Sequence, residues 1–288
     1  MQKMTNISSV QEYLLSEKRQ GKKIGFVPTM GFLHEGHLTL AEAARKENDI
    51  VVMSIFVNPL QFGPNEDFES YPRNPERDAA LAASAGVDIL FFPEADEMYS
   101  GSSIKMHVTE RTDVLCGSRR TGHFDGVVTV VSKLFNIIGP DNAYFGLKDA
   151  QQVAVIEGLV HDLNFPVNIV RVPTVREEDG LAKSSRNVYL SETERAEAPV
   201  LYSSLKDAES LIEEGKSIPQ TIISHIQNRI NSETSGTVDY IEIYSFPELE
   251  DIHSLQGEFI IALAVKFQKA RLIDNIIIKK SQEEKQNV

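Results

Sequence analysis

An open, Rossmann-like parallel sheet with helices on both faces, followed by a smaller C-terminal α+β domain, is the fold this sequence predicts. Three observations predict it. Up to about residue 172 the chain alternates short, almost wholly apolar runs with amphipathic stretches, the pattern of buried strands joined by crossover helices. The junctions carry Pro, Gly and Asn, which break regular structure and form turns. Beyond about residue 190 the order changes to helical stretches followed by three β-like runs, as in a small separate α+β domain.

Each element has its own signal. Ser9 and Glu12 fit a capping box, and Val10, Tyr13 and Leu14 give the first helix an apolar stripe. Ile24–Val27 reads as a buried strand broken by Pro28 and Gly31. A helix then begins near His37, with Leu38, Leu40, Ala41 and Ala44 inward, and runs to about Asn48. Ile50–Val57 (IVVMSIFV) is the next strand, completing a βαβ unit of fixed handedness. Asn58–Pro75 is a long loop, and loops of that length inside compact domains are usually functional. There follow a helix over Glu76–Ala85, a strand at Asp88–Phe92 and an edge strand or excursion at Ile104–Thr109. A helix at Val127–Ile138, a strand at Ala143–Phe145, a helix at Ala150–His161 and a strand at Val167–Val172 complete the first part. The polar, charged stretch at 173–187 reads as a hinge between a domain of residues 1–178 and one of 179–288. Ser191 and Glu194 form a second capping box for a helix to about Glu214, and another helix covers Gln220–Asn231. Strands at Asp239–Tyr244, Phe259–Phe267 and Ile273–Ile278 precede a frayed tail, SQEEKQNV.

Composition narrows the class. With 29 Lys and Arg against 42 Asp and Glu, the net charge is −13, which disfavours a nucleic-acid surface and leaves room only for local basic pockets. Cys116 is the single cysteine, so neither an intrachain disulfide nor a cysteine-based metal cluster can form. The N-terminus lacks the apolar core of a signal peptide, and no run approaches about 18 apolar residues, so a cytoplasmic protein without membrane contact is expected.

Five segments concentrate polar residues at loop ends. In Phe26–His37 (FVPTMGFLHEGH) a strand opens through a glycine turn into a helix, a place where backbone N–H groups can meet an anion. His34 and His37 add two imidazoles there, each able to donate to a phosphate; alternatively they are structural. Asn58-Pro59-Leu60-Gln61-Phe62-Gly63 follows the second strand, with Gln61 suited to a hydroxy acid and Phe62 to an apolar wall, or else forms an ordinary Asx turn. Arg119-Arg120-Thr121-Gly122-His123-Phe124 is a basic cluster in an acidic chain, or a solvated surface. Lys148 stands at a helix start, where a cation opposes the helix dipole unless an anion lies between them, while Asp149 suits a cap. Lys183-Ser184-Ser185-Arg186 offers two hydroxyls and two cations that can wrap a polyphosphate, or is a plain linker.

His34-Glu35-Gly36-His37 resembles the HxGH signature of the nucleotidyltransferase superfamily. The ordered set Pro28–His37, Asn58–Phe62, Tyr71–Arg73, Arg120–Val127, Phe145–Gln152 and Asp179–Asn187 resembles, over essentially the whole chain, the pantothenate synthetase family. Thr121 stands where that family usually has proline, and Lys183 where it more often has Met or Leu. The resemblance implies an amide-forming ligase that condenses pantoate with β-alanine through a pantoyl adenylate, releasing AMP and pyrophosphate. It implies His37, His34, Lys148 and Arg186 as catalytic groups. It implies an ATP site made of Met30, Gly31, His34, Gly36, His37, Gly146, Leu147, Lys148, Asp149, Val175, Lys183, Ser184, Ser185 and Arg186. Pantoate and β-alanine would meet Pro28, Thr29, Met30, Asn58, Gln61, Phe62, Val130, Val131 and Gln152. Mg²⁺ would arrive with ATP, bound to phosphate oxygens and water with no dedicated protein ligand. A homodimer and a C-terminal domain that closes over the cleft are further implications. Two other readings remain open at this point: another HxGH-type nucleotidyltransferase, and a non-catalytic nucleotide-binding module.

Overall fold

The computed structural model describes residues 1–64, 66 and 68–280. The chain forms two compact units, one of Met1–Leu147 and Val155–Val175, the other of Lys148–Ala154 and Arg176 onward. In chain order the first elements are β1 (Gln2–Met4), α1 (Ile7–Arg19), β2 (Ile24–Thr29), α2 (Glu35–Glu47) and β3 (Ile50–Ile55). Next come α3 (Pro75–Ser84), β4 (Ile89–Phe91), α4 (Ala95–Tyr99), α5 (His123–Ile138), β5 (Asn142–Gly146), α6 (Ala150–Asp162) and β6 (Asn168–Val172). The C-terminal part adds α7 (Glu192–Glu197), α8 (Val200–Glu213), α9 (Pro219–Glu233), β7 (Thr237–Ser245), β8 (Gly257–Lys266) and β9 (Arg271–Lys280). Short 3-10 turns stand at Pro59–Gln61, Leu147–Asp149 and Ser185–Tyr189.

The first unit is built on a six-stranded sheet in the order β1-β4-β3-β2-β5-β6, with every pair parallel. Alternation along β2 explains its two layers of helices. Val27 packs with Leu40, Ala41 and Ala44 of α2 and with Ala79 and Ala82 of α3. Phe26, one residue earlier and so pointing to the opposite face, meets Phe135 of α5 edge-on with ring centroids 6.5 Å apart. Strands clothed on both sides are apolar at nearly every position, and Ile50–Ile55 is buried throughout with Ser54 its one polar residue. The Rossmann-like sheet that the sequence predicts is the one observed.

In the second unit β7, β8 and β9 form an antiparallel meander. Ile222, Ile226 and Ile230 of α9 and Leu201, Leu205, Ala208 and Ile212 of α8 build its core against Phe259, Ile261, Leu263 and Val265. The expected capping box at Ser191 and Glu194 is present at the start of α7.

Several boundaries differ from expectation for identifiable reasons. Pro28 lies inside β2 instead of ending it. β5 pairs with β2 only at Gly25 and Phe26, so by Pro28 the strand has an open side, where a residue lacking an N–H is tolerated. The helix expected from Ser191 to Glu214 is two helices, interrupted at Ala198-Pro199 because proline cannot continue the hydrogen-bond ladder. α1 is capped by Asn6, which accepts from the Ser9 N–H at 3.1 Å, so the Ser9–Glu12 box does not form the cap. Of the two forms expected for Ile104–Thr109, edge strand or excursion, the irregular excursion is the one present. Asn65 and Asp67 of the long loop, and the tail read as frayed, lie outside the described residues.

Candidate active site

The sheet order reverses between β2 and β5, and ligands of open parallel sheets bind outside the carboxyl ends of the strands at such a point. β2 ends there in the turn that leads to His34. Gly31 (φ 86°) and Phe32 (φ 49°) both take left-handed backbone. The two N–H groups that follow point the same way, and a carboxylate fills the notch they make. Asp78 of α3, buried, accepts from the N–H groups of Phe32 and Leu33, each at 2.7 Å. The N–H of Gly31 goes to the Thr29 hydroxyl at 3.2 Å, and that hydroxyl donates to the Ser54 carbonyl at 2.8 Å. This corrects the expectation of backbone N–H groups open to an anion: the chain supplies its own anion, from 45 residues away for Leu33, a distance no local motif signals.

What the turn presents is therefore imidazole. His34 caps α2 by accepting the Gly36 N–H at Nδ1 (3.2 Å), while Nδ1 of His37 accepts the His34 N–H (3.3 Å). The helix begins two residues before its expected start because of this reciprocal cap. The rings lie with centroids 4.1 Å apart. An Nδ1 that accepts from backbone carries no proton, so each neutral ring holds its proton on Nε2 and is set as a donor through that atom.

β3 ends in the second expected segment. Asn58 caps the 3-10 turn Pro59–Gln61, and all of its amide is engaged. Its Oδ1 accepts from the Leu60 N–H (3.2 Å) and the Tyr99 hydroxyl (2.7 Å), and its Nδ2 donates to the Gly126 carbonyl (3.0 Å) and to Oε1 of Gln61 (3.1 Å). Nε2 of Gln61 in turn donates to the Met30 sulfur at 3.1 Å. Asn58 thus orients Gln61 and is itself saturated, with nothing left for a ligand. Phe62 stands edge-on to Phe68 and Tyr71, with centroids 5.3 and 5.9 Å away, in a small aromatic cluster. Val130 and Val131 are buried on α5. Burial pushes the Tyr99 hydroxyl well above its ordinary pKa, so it remains a neutral donor to Asn58.

The basic cluster has a definite task. Nδ1 of His123 donates to the Gln61 carbonyl at 2.8 Å, since a carbonyl can only accept, and its Nε2 lies 3.0 Å from Nη1 of Arg120. Arg120 forks onto Glu66 at 2.7 and 2.5 Å. Burial alone would raise the Glu66 pKa, but the hydrogen bonds and charge of Arg120 outweigh it and hold the carboxyl below its ordinary value. Gly122, the residue before α5, takes φ 77°, so the turn is formed with an exposed Thr121 in the proline position. Tyr99, Glu66 and Asp78 carry no sequence signal of their own.

Gly146 closes β5, and Leu147, Lys148 and Asp149 form the tight turn before α6, with Lys148 Nζ 3.8 Å from the Asp149 carboxylate. Gln152 lies in the first turn of α6, and Val175 follows β6. In the second unit Ser184 caps the 3-10 turn Ser185–Tyr189 by accepting the Arg186 N–H at 3.3 Å. Lys183 pairs with Glu177 at 3.0 Å. Among the described residues no three His, Cys, Asp or Glu side chains gather as metal ligands. No helix there is long and apolar enough to cross a membrane.

Paired imidazoles and a fixed glutamine after strands β2 and β3, beside the switch point of a parallel sheet, suit an α/β enzyme that handles a polar, anionic substrate. The sequence matches the Pantoate-beta-alanine ligase family over residues 2–277. It is 60% identical over 279 residues to pantothenate synthetase of Bacillus subtilis (strain 168), covering 96% of this chain and 97% of that one. Pantothenate synthetase of Bacillus pumilus (strain SAFR-032) is 62% identical over 278 residues, with 96% of each chain covered. Among solved structures, pantothenate synthetase from Thermus thermophilus superposes with a TM-score of 0.90 at 45% identity, over 96% of this chain and 99% of that one. The ligase from Francisella tularensis, complexed with Beta-gamma ATP and β-alanine, gives 0.80 at 37% identity over 96% and 97% of the two chains. The chain belongs to the pantoate–β-alanine ligase family. It is a ligase that forms pantothenate from pantoate and β-alanine with ATP.

Proposed function

We propose that His34 and His37 act from the β2 turn as Nε2–H donors to the phosphates of ATP while a pantoate carboxylate attacks the α-phosphorus. A carboxylate is a poor electrophile; joining its oxygen to phosphorus makes that oxygen part of a leaving group. Two anions must approach for this, so charge on the polyphosphate has to be balanced. Lys148, Ser184, Ser185 and Arg186 take that role, with Lys183 beside them, and ATP enters as its magnesium complex, the ion held by phosphate oxygens and water. Met30, Gly31, Gly36, Gly146, Leu147, Asp149 and Val175 shape the nucleotide site. Gln61 and Gln152 hold the hydroxyl and carboxylate of pantoate, and Pro28, Thr29, Met30, Phe62, Val130 and Val131 enclose its methyl groups. Asn58 acts behind them. As the new O–P bond forms, the bond from the α-phosphorus to the bridging oxygen breaks and pyrophosphate leaves, giving pantoyl adenylate. The β-alanine amine then attacks the acyl carbon and loses a proton, the C–N bond forms, and AMP leaves with the former carboxylate oxygen.

The observation that carries this reading is the reciprocal histidine cap, which fixes both rings in the tautomer that donates from Nε2 without any need for protonation. Positioning of this kind can supply roughly 7–11 kcal/mol of the barrier in favourable cases. The part of the chain from about residue 179 serves as a lid that keeps water from the acyl adenylate, and the enzyme works as a cytoplasmic homodimer. The test is AMP release with pantoate and β-alanine. His37→Ala and Lys148→Ala should each lose at least about 100-fold, as for removal of transition-state contacts. Near-normal turnover in both would refute the assigned roles, and a stable nucleotide conjugate as product would point to nucleotidyl transfer instead.

A further inference from the structure

β9 is apolar on either side of two polar residues, Asp274 and Asn275, which sit in mid-strand opposite Leu263 and Ala262. Both are buried, at 3% and 7% exposure. A buried carboxylate is costly unless it is paired, so the sequence position calls for a reason. Both side chains reach out of their own sheet to the two segments proposed to meet the triphosphate.

Asp274 receives the fork of Arg176, Nη1 to Oδ2 at 2.7 Å and Nη2 to Oδ1 at 2.8 Å, while Oδ1 also accepts the Asn275 N–H at 2.8 Å. Arg176 lies over the Tyr202 ring at 3.5 Å and donates to the Gly180 carbonyl at 3.0 Å. It forms one foot of a narrow turn: Arg176 bridges Ala182, Glu177 donates to the Leu181 carbonyl at 2.8 Å, and Gly180 (φ 95°) makes the bend. That turn leads from Ala182 directly into Lys183-Ser184-Ser185-Arg186, and Asn187 returns a hydrogen bond to the Ala182 carbonyl at 3.0 Å. Asn275 meanwhile donates from Nδ2 to the main-chain carbonyl of Lys148 at 3.0 Å. One dipeptide therefore holds the base of the Ser184–Arg186 turn and the backbone of Lys148.

We propose that Asp274 and Asn275 are positioning residues for adenylation, tying Lys148 and the 176–186 turn into one body so that their cationic groups meet the triphosphate as a set. Resting on the proposed chemistry, this inference is tested by separating its two halves. Asn275→Ala removes the tie to Lys148 and leaves the Asp274 carboxylate with its fork in place. Asp274→Asn keeps the shape but removes the charge that Arg176 faces. Formation of pantoyl adenylate from pantoate and ATP is measured, beside aminolysis of supplied pantoyl adenylate by β-alanine. The expected result for Asn275→Ala is a loss of 10-fold or more in kcat/KM for ATP, with aminolysis within threefold of the unaltered enzyme. Asp274→Asn, where it folds, should show the same split. Equal loss in both halves together with a lowered Tm would make the pair merely structural, and adenylation unchanged in Asn275→Ala would also overturn the proposal. Absence of adenylation in the unaltered chain would defeat the functional reading and this inference together.

Discussion

Gly36 has no side chain because the His34 ring occupies the place where one would go: a Cβ there would stand 2.9 Å from Cε1 of His34. Gly36→Ala should therefore turn the His34 ring away and lower kcat/KM by about 10-fold or more, the scale of a lost positioning contact, with little change in Tm; activity assays beside a melting curve check this. Asp78→Asn should cost about 1.5–3 kcal/mol of stability, the worth of hydrogen bonds to a charged group, and reduce adenylation because the turn before His34 loosens. For Glu66 the sign follows from its pKa, which is lower folded than unfolded. Its contribution is present above the ordinary value of 4.5 and is lost as pH falls through the lower folded value. The Tm of Glu66→Gln should accordingly lie below that of the unaltered protein at neutral pH and converge with it as pH drops below that window. His34 and His37 were legible in the sequence because four consecutive residues contain them and their helix start. Asp78 was not, because its partners lie 45 and 46 residues away.

At the scale of elements, the contact between α5 and the 3-10 turn Pro59–Gln61 fixes Gln61, the residue proposed to hold pantoate. A Cβ on Gly126 would stand 2.3 Å from the Leu60 carbonyl oxygen and 2.6 Å from the Gln61 N, both rigid backbone. Gly126→Ala should thus destabilise by about 1–3 kcal/mol, as overpacking does, and raise KM for pantoate more than KM for ATP; steady-state kinetics with each substrate varied would show it. Strands β2, β3 and β5 could be read from their apolar runs, since burial on both faces leaves few polar positions, Thr29 and Ser54 among them. β1 could not: three residues, exposed or half-buried, become a strand only by pairing with β4. The same limit hid α4, a helix of five residues, and an interior proline decided the split of α7 from α8.

For the whole molecule, the change from alternating to segregated order of helices and strands was enough to foresee two architectures in one chain. It did not foresee that Lys148–Ala154 would belong with the C-terminal unit, where the Lys148 carbonyl accepts from Asn275, 127 residues along the sequence. A chain of net charge −13 that activates a carboxylate with ATP must concentrate its cations where the phosphates lie, and the proposed chemistry assigns that work to Lys148, Lys183 and Arg186. The most direct test is exchange of labelled pyrophosphate into ATP in the presence of pantoate and the absence of β-alanine. The account predicts exchange that requires pantoate, needs no β-alanine and falls at least about 100-fold in His37→Ala. Exchange that ignores pantoate, or that appears only when β-alanine is added, would contradict it.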